Sequence, residues 1–190
     1  MSEQRRPQLR LYLTGLVLLL ELAHLTWEHA NGGVVSHHIL HRSDMPAISN
    51  WWGVLLLPAL TWFLTGRIQK RLDLDSAVKG ATTLPVRVVV GFVGSLLLGI
   101  LLAVSFTNHF ESIALYLFQG MLLLAVLLPV YRAECVLGFV LGMAFTFGAV
   151  LPTIAGFIVA AVSAVIHRSI RPGLVRLWKS LKARSLARRF

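Results

Sequence analysis

Long apolar runs separated by short polar stretches make up most of this 190-residue chain. Apolar runs of about 20 residues have the length at which an α-helix crosses a bilayer. The pattern predicts an all-α, polytopic integral membrane bundle of about six spans, which form one domain over residues 1–167. The predicted spans are 9–27, 51–66, 88–106, 112–131, 135–150 and 152–166.

The last two spans come from one nearly unbroken apolar stretch, Cys135 to Ile166. As a single helix it would be about 48 Å long at 1.5 Å per residue. The hydrocarbon core of a bilayer is only about 30 Å thick. A turn near Gly148 to Pro152 is therefore predicted to divide it into two short spans.

The first span begins like a signal peptide, with Arg5 and Arg6 ahead of an apolar run. Glu21 and His24 interrupt that run, and no small-residue cleavage site follows. We therefore expect an uncleaved membrane span.

Composition supports the membrane assignment. Hydrophobic residues make up 56% of the chain, compared with roughly 45–50% in soluble domains, and the mean hydropathy is +0.74. Cys135 is the single cysteine, which excludes an internal disulfide and a multi-cysteine metal cage. Any metal must therefore be bound by nitrogen and oxygen ligands.

The strongly basic balance, 18 Lys and Arg against 8 Asp and Glu, could indicate nucleic-acid binding. In membrane proteins, however, basic residues concentrate in cytoplasmic loops. Six spans with both termini cytoplasmic place every Lys and Arg except Arg42 on that side, whereas five spans do not. The sequence thus predicts an integral membrane protein, which in a bacterium would lie in the inner membrane. It predicts no nucleic-acid partner.

The C-terminal segment 168–190 is basic and amphipathic. Such a helix lies in the membrane interface on anionic lipid. We expect a cytoplasmic tail with anionic lipid as its partner. Its apolar face would contain Leu174, Leu177, Trp178 and Leu181.

Most of the residues that could bind a metal or take part in catalysis lie between Glu21 and Asp44. Glu21, His24 and Glu28 have the spacing i, i+3, i+7, which aligns them on one face of a helix. Ionisable residues inside membranes usually mark functional sites, and Glu-x-x-His is a metal-binding element of di-iron bundles. The alternatives are a helix-interface pair satisfied by Gln119, or a buried glutamate that is protonated.

The loop sequence SHHILHRSD forms a second constellation. If Ser36 caps a short helix, His37 and His41 fall at i, i+4, a chelating geometry for Zn, Fe or Mn. Gly32 and Gly33 would allow the loop to fold back over the first span. Alternatively, these histidines are solvated and bind lipid headgroups or backbone.

The pattern HHxxH at 37–41 resembles the histidine boxes of integral-membrane di-iron desaturases and hydroxylases. Those families carry several boxes on the cytoplasmic side, whereas this chain has one, on the predicted outer side. The resemblance therefore assigns no role to an individual residue.

Glu21 and Glu28 are the candidate catalytic residues, and a divalent transition metal (Zn, Fe or Mn) is the expected cofactor. The candidate metal ligands, which include two residues of the other outer turn, are His24, His29, His37, His38, His41, Asp44, His109 and Glu111.

Three function classes follow from this pattern. The first is a metal-dependent membrane enzyme, a hydrolase or an oxidoreductase, whose outward site acts on a lipid or lipid-like substrate. The second is a transporter or channel in which Glu21 and His24 handle protons or a cation. The third is an accessory or assembly subunit. Because few polar groups are predicted in the inner half of the spans (Thr14, Ser95, Thr146 and Ser163), the one-sided enzyme is favoured.

Small residues recur at every fourth position in the last two spans, at Gly138, Gly142, Gly156, Ala160 and Ala164. This pattern lets membrane helices approach closely. It predicts a packing hairpin or a surface for association with a second copy or a membrane complex.

Overall fold

A computed structural model describes residues 5–38, 44, 46–79, 86–173, 176 and 178–179 of the chain. These residues form a helical bundle with one small β-hairpin. The helices are α1 (Arg5–Ala30), α2 (Gly53–Lys79), α3 (Val86–Thr107), α4 (Glu111–Leu127), α5 (Ala133–Phe147) and α6 (Val150–Val165). The strands of the hairpin are β1 (Ser36–His38) and β2 (Ala47–Ser49), and a 3-10 turn (Asn50–Trp52) leads from β2 into α2.

Among the described residues, three helices are long and apolar enough to cross a membrane: Pro7–Ala30, Val86–Thr107 and Val150–Gly173. The helices α4 and α5 are apolar but shorter. These helices are consistent with the predicted membrane protein. The first half of α2 is also apolar, whereas its second half carries several charged side chains.

Neighbouring helices pack in two pairs. In the antiparallel pair α1 and α2, the Arg10 side chain lies beside Gly66 and the Glu21 carboxyl group lies beside Gly53. The Arg10 guanidinium also stacks on the Trp62 ring at 3.8 Å. In the parallel pair α3 and α5, each helix begins at the same end of the bundle. Packing of α2 against α5 joins the two pairs.

Glycines bring α3 and α5 into backbone contact. A methyl group at Gly138 would collide with the carbonyl oxygen of Phe92, and one at Gly142 would collide with that of Leu96. Gly99 faces Gly142 from the other helix. The predicted close packing of these small residues is therefore found within one chain.

The break between α5 and α6 falls at Gly148, inside the interval predicted for a turn. Its φ of +66° is unfavourable for residues with a side chain, which explains glycine here. Pro152 lies in the first turn of α6, where a helix tolerates proline.

Two local predictions were wrong. The second span was predicted to end at residue 66, but α2 continues as a helix as far as Lys79. The short helix predicted from Ser36 is instead strand β1, because its residues pair with β2. The tail is helical to Gly173 and at residues 176, 178 and 179. Leu174, Leu177 and Leu181 lie outside the described residues.

Candidate functional site

The buried polar centre of the described structure is formed by Glu21, His24 and Glu28 on one face of α1. His24 Nε2 lies 3.3 Å from Glu28 Oε1, and His24 Nδ1 lies 3.9 Å from Glu21 Oε2. All three side chains are less than 10% exposed. We call this group the acid–histidine cluster. Its imidazole lies between two carboxyl groups.

The Glu28 carboxyl group is fixed by two hydrogen-bond donors. The Asn50 side-chain amide donates to Glu28 Oε1 at 2.7 Å, and the Val35 backbone amide donates to Oε2 at 3.2 Å. Positive φ angles at Gly32 and Gly33 allow the chain to turn back after α1 and bring Val35 to this position. Asn50 reaches Glu28 from the 3-10 turn that precedes α2.

The β-hairpin covers the same end of α1. His37 pairs with Ile48 in the antiparallel register of β1 and β2. The His37 ring is half-buried, and its centroid lies 6.4 Å from that of Phe147. Because β1 is extended, the helical i, i+4 arrangement predicted for His37 and His41 does not begin here. His41 and the side chain of His38 lie outside the described residues.

The turn between α5 and α6 closes over the cluster. The Phe145 ring lies against His24 with centroids 4.4 Å apart. Gly148 lies so close to Asn50 that a methyl group there would collide with Asn50 Oδ1. Asn50 is 2% exposed, and its Oδ1 has no hydrogen-bond partner. Because residue 148 is glycine, the turn between α5 and α6 packs directly against Asn50, which donates a hydrogen bond to Glu28.

A cavity of about 670 Å³ extends from the cluster through the bundle, between the α1–α2 pair and the α3–α5 pair. We call it the central groove. Glu21 and His24 line one end, and apolar side chains such as Leu16 and Leu137 line most of its length. The α2 hydroxyl groups of Thr61 and Thr65 also lie along it.

The opposite end of the groove contains a second buried carboxyl group. Glu134 is 1% exposed and receives a hydrogen bond from Arg71 Nη2 to its Oε1 at 2.8 Å. Its other oxygen, Oε2, is buried and has no hydrogen-bond partner. Arg71 is about one third exposed, so the ion pair lies between the groove and the solvent.

Other candidate residues lie away from the cluster. His29, Asp44, His109 and Glu111 are exposed. Gln119, the partner suggested for the first-span acids, is exposed on α4, and Asn50 takes the predicted role. Within the described part of the chain, no group of three or more His, Cys, Asp or Glu residues could hold a metal ion.

Sequence reasoning missed three contributors to this region. Thr61 and Thr65 lie at i, i+4 in an apolar span, a spacing that signals a polar stripe. Glu134 lies between the fourth and fifth predicted spans and begins a largely buried helix. Polar groups therefore extend along the bundle away from the acid–histidine cluster, where the sequence predicted few.

Comparisons with protein-family models, with curated protein sequences and with solved structures find no match to this chain.

Replacing Asn50 with alanine is expected to destabilise the protein by about 1–3 kcal/mol, because Glu28 Oε1 loses its buried donor. The measurement is thermal unfolding of purified protein. Asn108→Ala is the matched control, since the exposed Asn108 amide donates only to Val104 O of its own helix. Equal unfolding temperatures for the two variants would contradict the role assigned to Asn50.

Proposed function

We propose that this protein is an integral membrane enzyme that acts on a lipid or lipid-like substrate. The substrate occupies the central groove and presents its reacting polar group to the acid–histidine cluster. The observation that carries the proposal is the opening of a buried, ionisable cluster onto an apolar groove. Buried ionisable groups are costly in a membrane protein and are retained where they are used.

The geometry of the cluster suits proton transfer. Glu21 and His24 line the groove, whereas Glu28 is held behind His24 by Asn50 and Val35. In the proposed reaction, Glu21 removes a proton from water or from a substrate hydroxyl group. Glu28 orients the His24 imidazole. Apolar walls keep bulk water away from the reacting groups.

We also propose a divalent metal, Zn, Fe or Mn, as the cofactor of this site. His24 would contribute a ligand together with histidines of the loop 37–41. The proximity of His37 to the Asn50–Gly148 contact supports this proposal, because it brings the beginning of that loop to the cluster. Neutral imidazole and ionised carboxylate are the ligand forms that bind such ions.

Groove occupancy is tested by narrowing the groove. Leu16→Trp adds a large side chain to a residue that lines it, whereas Leu19→Trp on the same helix adds one to an exposed residue outside the lining. We expect Leu16→Trp to weaken binding of radiolabelled dodecanol about tenfold in lipid nanodiscs, and Leu19→Trp to leave it unchanged. The proposal fails if the wild type does not bind dodecanol above empty nanodiscs.

We propose six spans with both termini cytoplasmic and the basic tail on anionic lipid. Support comes from the alternating directions of the helices. Arg71 in the second half of α2 meets Glu134 at the start of α5, and Ser163 late in α6 donates to Leu128 O after α4. Cys135 is then expected to resist a membrane-impermeant thiol reagent in intact cells, while Ser43→Cys reacts. If Cys135 is labelled and position 43 is protected, the orientation of the spans is the reverse of the proposed one.

A transporter is the second candidate, because polar groups extend along the groove. Thr61 and Thr65 lie between the acid–histidine cluster and Glu134 at the opposite end. If the protein transports protons, an imposed pH gradient should decay faster in proteoliposomes than in vesicles without protein. Glu21→Gln should abolish the difference. Unchanged leakage in wild-type vesicles would exclude this candidate.

A further inference from the structure

We propose that the end of the central groove at Arg71 and Glu134 is a binding site for a neutral hydroxyl group of the ligand. The ligand of the groove is then an apolar chain with a polar group at each end. This inference rests on the proposed function, because it specifies the substrate class of the same groove.

The unpartnered oxygen of Glu134 points to a hydrogen-bond donor. Its Oε1 is satisfied by Arg71 at 2.8 Å, but Oε2 is buried without a partner in a side chain that is 1% exposed. Burial of an unpaired carboxylate oxygen is costly unless a donor binds it. Glu134 also lines the groove. Because protein atoms cover Oε2, we expect the carboxyl group to rotate when a ligand binds, so that this oxygen accepts the ligand's hydrogen bond.

Charge selects the kind of donor. The Arg71 guanidinium already balances the Glu134 carboxylate. An ammonium group on the ligand would add a net positive charge to a cavity with apolar walls, and burial of an uncompensated charge is strongly unfavourable. A hydroxyl group donates the required hydrogen bond without that charge.

Groove length sets the separation of the two polar groups. Glu134 and Phe145, which contacts His24, are eleven residues apart on α5, or about 16 Å at 1.5 Å per residue. An extended dodecanediol with one hydroxyl group at each end has nearly this length, and hexanediol is about half as long. Dodecanol provides the same chain with a single hydroxyl group.

The test compares binding of these three alcohols to wild-type protein in nanodiscs, with empty nanodiscs as the background. Dodecanediol is expected to bind at least tenfold more tightly than dodecanol, the scale of one added hydrogen bond to a charged group. Hexanediol should bind more weakly than both. Equal binding of dodecanediol and dodecanol would overturn this inference and leave the proposed function standing. Binding of neither long alcohol would overturn both.

Variants assign the preference to Glu134. Glu134→Leu should abolish the tenfold preference for the diol and keep dodecanol binding. If that variant does not fold, Arg71→Met with Glu134→Leu removes the whole ion pair, a replacement that buried pairs often tolerate. Glu111→Leu is the control, because this exposed residue does not line the groove. A diol preference that survives in the folded single or double variant would overturn the assignment.

Discussion

Purified wild-type protein is expected to contain a stoichiometric amount of Zn, Fe or Mn. Glu28→Gln, His37→Ala and His41→Ala should each lower that content at least tenfold, the scale of a lost ligand or its support. The metal content should also fall as the pH decreases through the range in which imidazole is protonated, because protonation removes the lone pair that binds the metal. Elemental analysis after mild purification is the measurement.

His167→Ala is the control for metal content. The His167 ring contacts the backbone carbonyls of Ser163 and Leu127, away from the acid–histidine cluster. The metal content of the His167→Ala variant should equal that of the wild type. The metal proposal is wrong if the wild type contains no metal and gains no thermal stability from added Zn or Fe. The acid–histidine cluster would then act by proton transfer alone.

The double substitution Gly138→Ala with Gly142→Ala is expected to separate α3 from α5. Each new methyl group would meet a backbone carbonyl oxygen of α3, which cannot move aside as a flexible side chain can. Overpacking of this kind costs about 1–3 kcal/mol per site. Thermal unfolding in detergent should show a large loss of stability. The double variant should also lose dodecanol binding, because α3 and α5 form one wall of the groove.

Gly94→Ala provides the matched control on α3. No atom lies within 4 Å of the position that its methyl group would occupy. It brings the same gain in helix propensity as the other two substitutions. Its stability should equal that of the wild type or exceed it by up to about 1 kcal/mol. A double variant as stable as Gly94→Ala would contradict the close contact between these helices.

The helical class and the first-span cluster were predictable because both depend on local periodicity. Glu21, His24 and Glu28 share a face wherever that segment is helical. The break at Gly148 followed from a comparison of helix length with bilayer thickness. These features need no knowledge of which helices are neighbours.

The partners of the cluster were not predictable, because they depend on tertiary packing. Asn50 reaches Glu28 only because β1 and β2 pair, and short strands in a polar loop carry little periodic signal. Glu134 pairs with Arg71 because α2 continues as a helix beyond the predicted span. Its sequence neighbours, Arg132 and Cys135, are equally compatible with an exposed turn.

The contact between Asn50 and Gly148 also orders the biogenesis of this protein. During synthesis, α1 leaves the ribosome first, Asn50 follows with α2, and Gly148 emerges only with the last hairpin. A nascent chain arrested after α4 therefore holds Glu28 and Asn50 without the turn that covers them, and His24 without Phe145. The site can therefore close only after the last hairpin has been synthesised.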